Sequence, residues 1–131
     1  MKKKLETAYG VIGLGRFGAA LAMMLAQSGN EVIAVDRDEK KVKEMRQYTD
    51  CAFVTDDLSS DTLKEIGIQN CDVVIICIGE KVDVSILTTM SVIELGVPRV
   101  IAKALSPEQG AVLGKLGAEV VYPERDMALR L

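Results

Sequence analysis

The sequence predicts an α/β domain built on a doubly wound parallel sheet of six strands, and three observations carry that expectation. Strand-like and helix-like segments alternate along the chain with short connections. The most apolar run, Val73 to Ile78, shows no polar–apolar alternation, so it reads as a strand covered on both faces at the centre of the sheet. A glycine turn, Gly13-Leu14-Gly15-Arg16-Phe17-Gly18, joins the first strand to the first helix. At 131 residues the chain is one domain, residues 1–131, with no room for a second.

Each element has its own signal. Ala8 to Ile12 is an apolar strand, the glycine turn opens a helix, and Val32 to Val35 is a second strand ending at Asp36. A polar helix pattern from Asp38 to about Tyr48 precedes a brief strand at Ala52 to Val54. Ser59 or Ser60 caps a helix that reaches Ile66, where Gly67 stops it. After the central strand, a helix from Val82 to Leu95 ends at Gly96 and Pro98 and is followed by a strand from Arg99 to Lys103. Ser106-Pro107 reads as an N-cap with proline at the first helical position, giving a helix to about Leu116. A last strand, Glu119 to Tyr122, leads into a polar helix start that is still running at Leu131, as if cut from a longer protein. Crossovers between parallel strands are right-handed, which makes 3-2-1-4-5-6 the economical order, that of a Rossmann fold.

Composition excludes several functions. With five aromatic residues, a net charge of −3 and basic residues interspersed with acids except at Lys2, Lys3 and Lys4, a nucleic-acid partner is not expected. No apolar run is long enough to enter a membrane directly or to act as a signal peptide. Cys51, Cys71 and Cys77 lack metal-ligand spacing and read as small buried hydrophobes in a reducing cytosol. There is no histidine, no nucleophile with a nearby base and no paired carboxylates, so no enzyme activity is expected.

What remains is a nucleotide site where the strand order reverses. Gly13 makes the tight turn, Gly15 lets the backbone approach a phosphate, and Gly18 lets helix and strand pack closely. Phosphate would sit on the free N–H groups of the helix N-terminus, with the Arg16 guanidinium holding terminal oxygens in bidentate fashion or else facing water or pairing with Glu80. Asp36, eighteen positions beyond Gly18, can accept from a ribose 2′-hydroxyl and would repel a 2′-phosphate, which fits ATP, ADP or NAD better than NADP; the alternative is an acid capping the next helix. Asp56 and Asp57 lie where a base would sit, or are turn residues. Ile78 and Gly79 end the fourth strand beside the glycine turn, and Lys103 brings a second positive charge towards it.

Those residues bring a family into view. Tyr9 through Gly18, Val35-Asp36-Arg37-Asp38, Val74 through Gly79, Ile101-Ala102-Lys103-Ala104, Gly117-Ala118-Glu119 and Pro123-Glu124 together resemble the regulator of potassium conductance (RCK or KTN) domain of Trk and Ktr potassium uptake systems. The resemblance implies a cytosolic regulatory subunit, peripheral to the membrane through an integral-membrane potassium-translocating partner, forming homodimers within a ring, commonly an octamer. It implies exchange of ATP, ADP, NAD or NADH, with Gly13, Gly15 and Arg16 on phosphate, Asp36 on ribose, Arg37, Asp38 and Asp56 around the base, Gly79 and Lys103 on the opposite wall, and a divalent cation at Glu124. It also implies a C-terminal half following Leu131. The chain departs from the family pattern at Thr55 and Asp57, where a glycine and a small residue are usual. The rival expectation is the cofactor half of an NAD-dependent dehydrogenase.

Overall fold

The computed structural model describes residues 7–131; the Lys2 to Lys4 run lies outside them. The strands are β1 (Ala8–Ile12), β2 (Glu31–Asp36), β3 (Ala52–Val54), β4 (Val73–Ile76), β5 (Arg99–Lys103) and β6 (Glu119–Val121), all parallel in the order β3-β2-β1-β4-β5-β6. The expected topology is the observed one. β1 is flanked by β2 and β4, with Ile12 opposite Val35 on one side and Ile76 on the other, so three strand ends meet at the reversal of strand order.

The helices are α1 (Arg16–Gln27), α2 (Glu39–Met45), α3 (Ser60–Ile66), α4 (Val82–Glu94), α5 (Pro107–Lys115) and α6 (Pro123–Arg130), with a 3-10 turn at Ile68–Asn70. Alternate strand residues feed two separate cores. Val11, Val32, Ala34 and Ile75 pack beneath α1 and α2 with Ala22, Val42 and Met45, whereas Ile12, Val35, Val74 and Ile76 pack beneath α3, α4 and α5 with Leu63, Val92 and Leu113. This is the period-two pattern of a sheet covered on both sides.

Local chemistry sets the helix ends. Ser59 Oγ accepts from the Thr62 N–H and Ser106 Oγ from the Gln109 N–H, while Gly67 stops α3 at φ +100°, a conformation that side chains disfavour. Asp38, not Asp36, caps α2, accepting from the N–H groups of Lys40 and Lys41.

Two elements end more than one residue short of their expected bounds. The second helix ends at Met45 rather than Tyr48, because the Thr49 hydroxyl donates to the Val32 carbonyl at 2.6 Å and draws the chain back to the sheet. The central strand ends at Ile76: Cys77 N–H still donates to the Ile12 carbonyl at 2.7 Å, and then the chain leaves the sheet. The departure of Ile78 and Gly79 from the strand opens the crevice described next.

Candidate functional site

A cleft of about 530 Å³ opens at the carboxyl ends of β1, β2, β4 and β5. That size suits a nucleotide-scale ligand, and it lies where parallel α/β sheets bind ligands.

The glycine turn forms its floor. Gly13 has φ +101°, and a Cβ there would lie 2.7 Å from the Cys77 carbonyl oxygen. A Cβ on Gly18 would meet the Gly13 carbonyl oxygen, so α1 can rest on the turn only without a side chain at that position. Gly15 is different: nothing stands within 4 Å of its Cβ position, nor of that of Gly79 across the cleft. Two glycines therefore satisfy internal packing, and two leave room at the cleft.

Gly15 is also the N-cap of α1, with no side-chain hydrogen bond, and the first turn contains no acidic residue. The caps of α2, α3 and α5 all have a side-chain acceptor. The α1 terminus thus faces the cleft with uncapped N–H groups and its dipole uncompensated, the arrangement that attracts an anion.

Asp36 does something its position alone did not reveal. Its Oδ2 accepts from the Leu14 N–H at 2.6 Å and its Oδ1 from the Asp38 N–H at 2.8 Å, so the carboxylate pins the glycine turn to the end of β2. A carboxylate has about four lone-pair sites, which leaves acceptor capacity facing the cleft.

Of the residues expected at the site, the cleft brings together Gly13, Gly15, Asp36, Arg37, Asp56, Ile78, Gly79 and Lys103. It does not take in Arg16, Phe17, Gly18, Asp38 or Asp57. Arg16 is exposed at the first position of α1, on the rim, with no hydrogen bond or ion pair to another described residue, Glu80 included. Phe17 points to the opposite side of α1, into an apolar groove with Tyr9, Ile75 and Ile101. Gly18 is buried beneath the turn, and Asp38 serves as the α2 cap.

Asp57 holds the start of α3, accepting from the Ser59 N–H and the Thr62 hydroxyl; those hydrogen bonds hold its carboxyl below the usual range. Thr55 and Leu58 line the cleft beside Asp56 instead. Lys41 on α2 and Lys81 at the start of α4 add cations to the walls. Nothing in the spacing of these residues marked them, since they converge only through the sheet reversal.

Lys103 is 8% exposed, and its Nζ donates to Glu124 Oε1 at 3.2 Å. Among the described residues no group of three His, Cys, Asp or Glu side chains could hold a metal ion. Cys71 and Cys77 are buried as expected, but Cys51, just before the edge strand β3, is exposed. Burial pushes the Cys77 thiol up to about 12, so the thiol at the cleft floor stays protonated and unreactive near neutrality.

Residues 9–123, which include the glycine turn, Asp36 and Lys103, match the TrkA-N domain family. The chain belongs to that family. This TrkA-N domain is 44% identical over 128 residues to Ktr system potassium uptake protein C of Bacillus subtilis (strain 168), covering 97% of the chain and 58% of that protein. It is 42% identical over 127 residues to Ktr system potassium uptake protein A of Vibrio alginolyticus, covering 96% and 58%. The TrkA-N domain thus spans somewhat more than half the length of these relatives. Among solved structures it resembles GsuK bound to ADP, with a TM-score of 0.72 and 28% identity over 88% of this chain and 30% of that one. It also resembles the GsuK channel bound to NAD, with a TM-score of 0.75 and 26% identity over 93% and 22%. No helix among the described residues is long and apolar enough to cross a membrane.

Proposed function

We propose that this TrkA-N domain is the cytosolic nucleotide-sensing part of a regulatory subunit for a Trk or Ktr-type potassium uptake system. It binds ATP and ADP, or NAD and NADH, in the cleft. The observation that carries this reading is the uncapped N-terminus of α1, which faces open space at Gly15 and stands beside a turn pinned by Asp36. The similarity to Ktr system proteins and to GsuK structures holding ADP and NAD supports it.

Phosphates dock on the α1 amides, ribose hydroxyls share the Asp36 carboxylate, and the base lies between Thr55, Asp56 and Leu58. Arg16, on the rim with no partner among the described residues, reaches a terminal phosphate rather than an internal one. The subunit acts on an integral-membrane potassium-translocating partner through homodimers arranged in a ring. Ligand exchange moves the ring between states by the difference in affinity for them, typically ~1–3 kcal/mol of coupling. A divalent cation at Glu124, near the subunit contact, belongs to this reading only with oxygens that ligand phosphates or a second protomer add. One exposed carboxylate already paired with an ammonium offers too few oxygens for an ion that takes six or more.

Calorimetric titration with ATP, ADP, NAD and NADH, repeated on Arg16→Ala, tests the proposal. ATP and ADP are expected to bind, and Arg16→Ala is expected to weaken ATP more than NAD. Indifference to all four ligands would sink the nucleotide reading. Unchanged ATP and ADP binding by Arg16→Ala would sink terminal-phosphate sensing.

A further inference from the structure

The Lys103–Glu124 pair joins two parts of the molecule that have different solvation. Lys103 ends β5 and lines the cleft, and its side chain is 10% exposed; Glu124 is in the first turn of α6, and its side chain is 59% exposed. Helix α6 buries none of its residues. Among the described residues, this pair is the only hydrogen bond or ion pair between α6 and an earlier element. The remaining polar contacts of α6 are local, such as Arg125 stacked on the ring of Tyr122 at 3.9 Å.

We infer that Lys103–Glu124 is a latch that a nucleotide's anionic groups open: ligand phosphate in the cleft takes Lys103 from Glu124 and releases α6. This rests on the nucleotide reading above and gives that site an output.

The asymmetry of burial sets the direction of exchange. Leaving the mostly buried Lys103 side chain without an anion costs more than leaving an exposed carboxylate, because less of its hydration is restored. A mostly exposed carboxylate regains water as soon as it lets go, so it gives up little. When a second anion enters the cleft, the cation keeps a partner in either state, and Glu124 is the group that leaves. A phosphate competes well, since it carries at least as much negative charge and presents it from inside the cleft. The helix so released follows the last strand after one residue and carries Met127 and Leu129 exposed.

The chain contains no tryptophan, so Met127→Trp places a single reporter on α6. ADP is titrated into the full chain carrying Met127→Trp, in buffer with EDTA, with tryptophan emission and calorimetry read together. Saturating ADP is expected to shift the emission. Adding Glu124→Gln is expected to give the ADP-like emission without ligand, no further shift with ADP, and at least threefold tighter ADP binding. Lys103→Met is expected to give the same ligand-free emission with weaker ADP binding. ADP binding with no emission change, or weaker ADP binding by Glu124→Gln, would overturn the latch alone. Failure of the unsubstituted chain to bind ADP would overturn the latch and the nucleotide reading together. Gln at this exposed position is close to isosteric, and circular dichroism confirms that each variant is folded.

Discussion

The two kinds of glycine in the turn give the sharpest test. In Gly18→Ala the new Cβ would overlap the Gly13 carbonyl oxygen and stand 3.1 Å from the Cys77 Cβ. The obstacle is backbone, so no side chain can swing aside. Helix α1 would have to withdraw from the turn by more than ~1 Å before the contact became tolerable. Overpacking of this kind costs ~1–3 kcal/mol, and a shifted α1 also loses packing of the fully buried Ala22. Opposing this, alanine is favoured over glycine inside a helix by ~1 kcal/mol. With the lost Ala22 packing included, the net expectation is a loss of about 1–2 kcal/mol, a sizeable part of the ~5–15 kcal/mol typical of a domain. With a urea slope of ~2 kcal/mol per molar, the midpoint would fall by roughly 0.5–1 M. Gly15→Ala is the control, with open space at its Cβ position and φ −68°. Its midpoint is expected to stay within ~0.5 kcal/mol of the parent, while nucleotide binding falls because the methyl group occupies the ligand's path. Urea unfolding and ADP titration of both variants decide the matter. A parental midpoint for Gly18→Ala, or equal destabilisation by the two, would refute the division of roles.

Three further outcomes test other contacts in the fold. Ser106→Ala removes the acceptor for the Gln109 N–H and should cost about 1 kcal/mol in urea unfolding; no loss would mean that the cap is unimportant. Because the Asp57 carboxyl is held below 3.8 in the folded state, its stabilisation is complete above the unfolded value and disappears as pH falls through the folded one. Asp57→Asn should therefore unfold at lower urea than the parent at neutral pH, with the gap closing as pH falls through the folded value; a gap independent of pH would contradict this. Native protein treated with iodoacetamide at about pH 8 should be alkylated at Cys51 alone, since Cys71 and Cys77 are buried and the Cys77 thiol is raised to about 12. Peptide mapping that found modified Cys77 in folded protein would show that the cleft floor is more open than described.

Much of the architecture follows from local signals. The bounds of β1, β3 and β5 agree with their apolar runs, and Ser59, Gly67 and Ser106 act at the helix ends where their chemistry places them. The misses have a common cause. The end of β4 at Ile76 and of α2 at Met45 depend on where neighbouring strands stop and on a hydroxyl reaching the Val32 carbonyl, which are contacts between segments distant in sequence.

The same division runs through the site. The glycine spacing and the carboxylate at the end of β2 marked a tight strand-to-helix turn and an acid beside it, because those features depend on backbone freedom and short-range order. Only the folded sheet showed that Asp36 bonds to the Leu14 amide, that Phe17 turns away, that Asp57 belongs to α3, and that Lys103 is paired with Glu124. In a parallel sheet the residues that share a cleft lie on separate strands joined by helices. Periodicity along the chain therefore determined which elements form, and their three-dimensional convergence alone decided which charges meet.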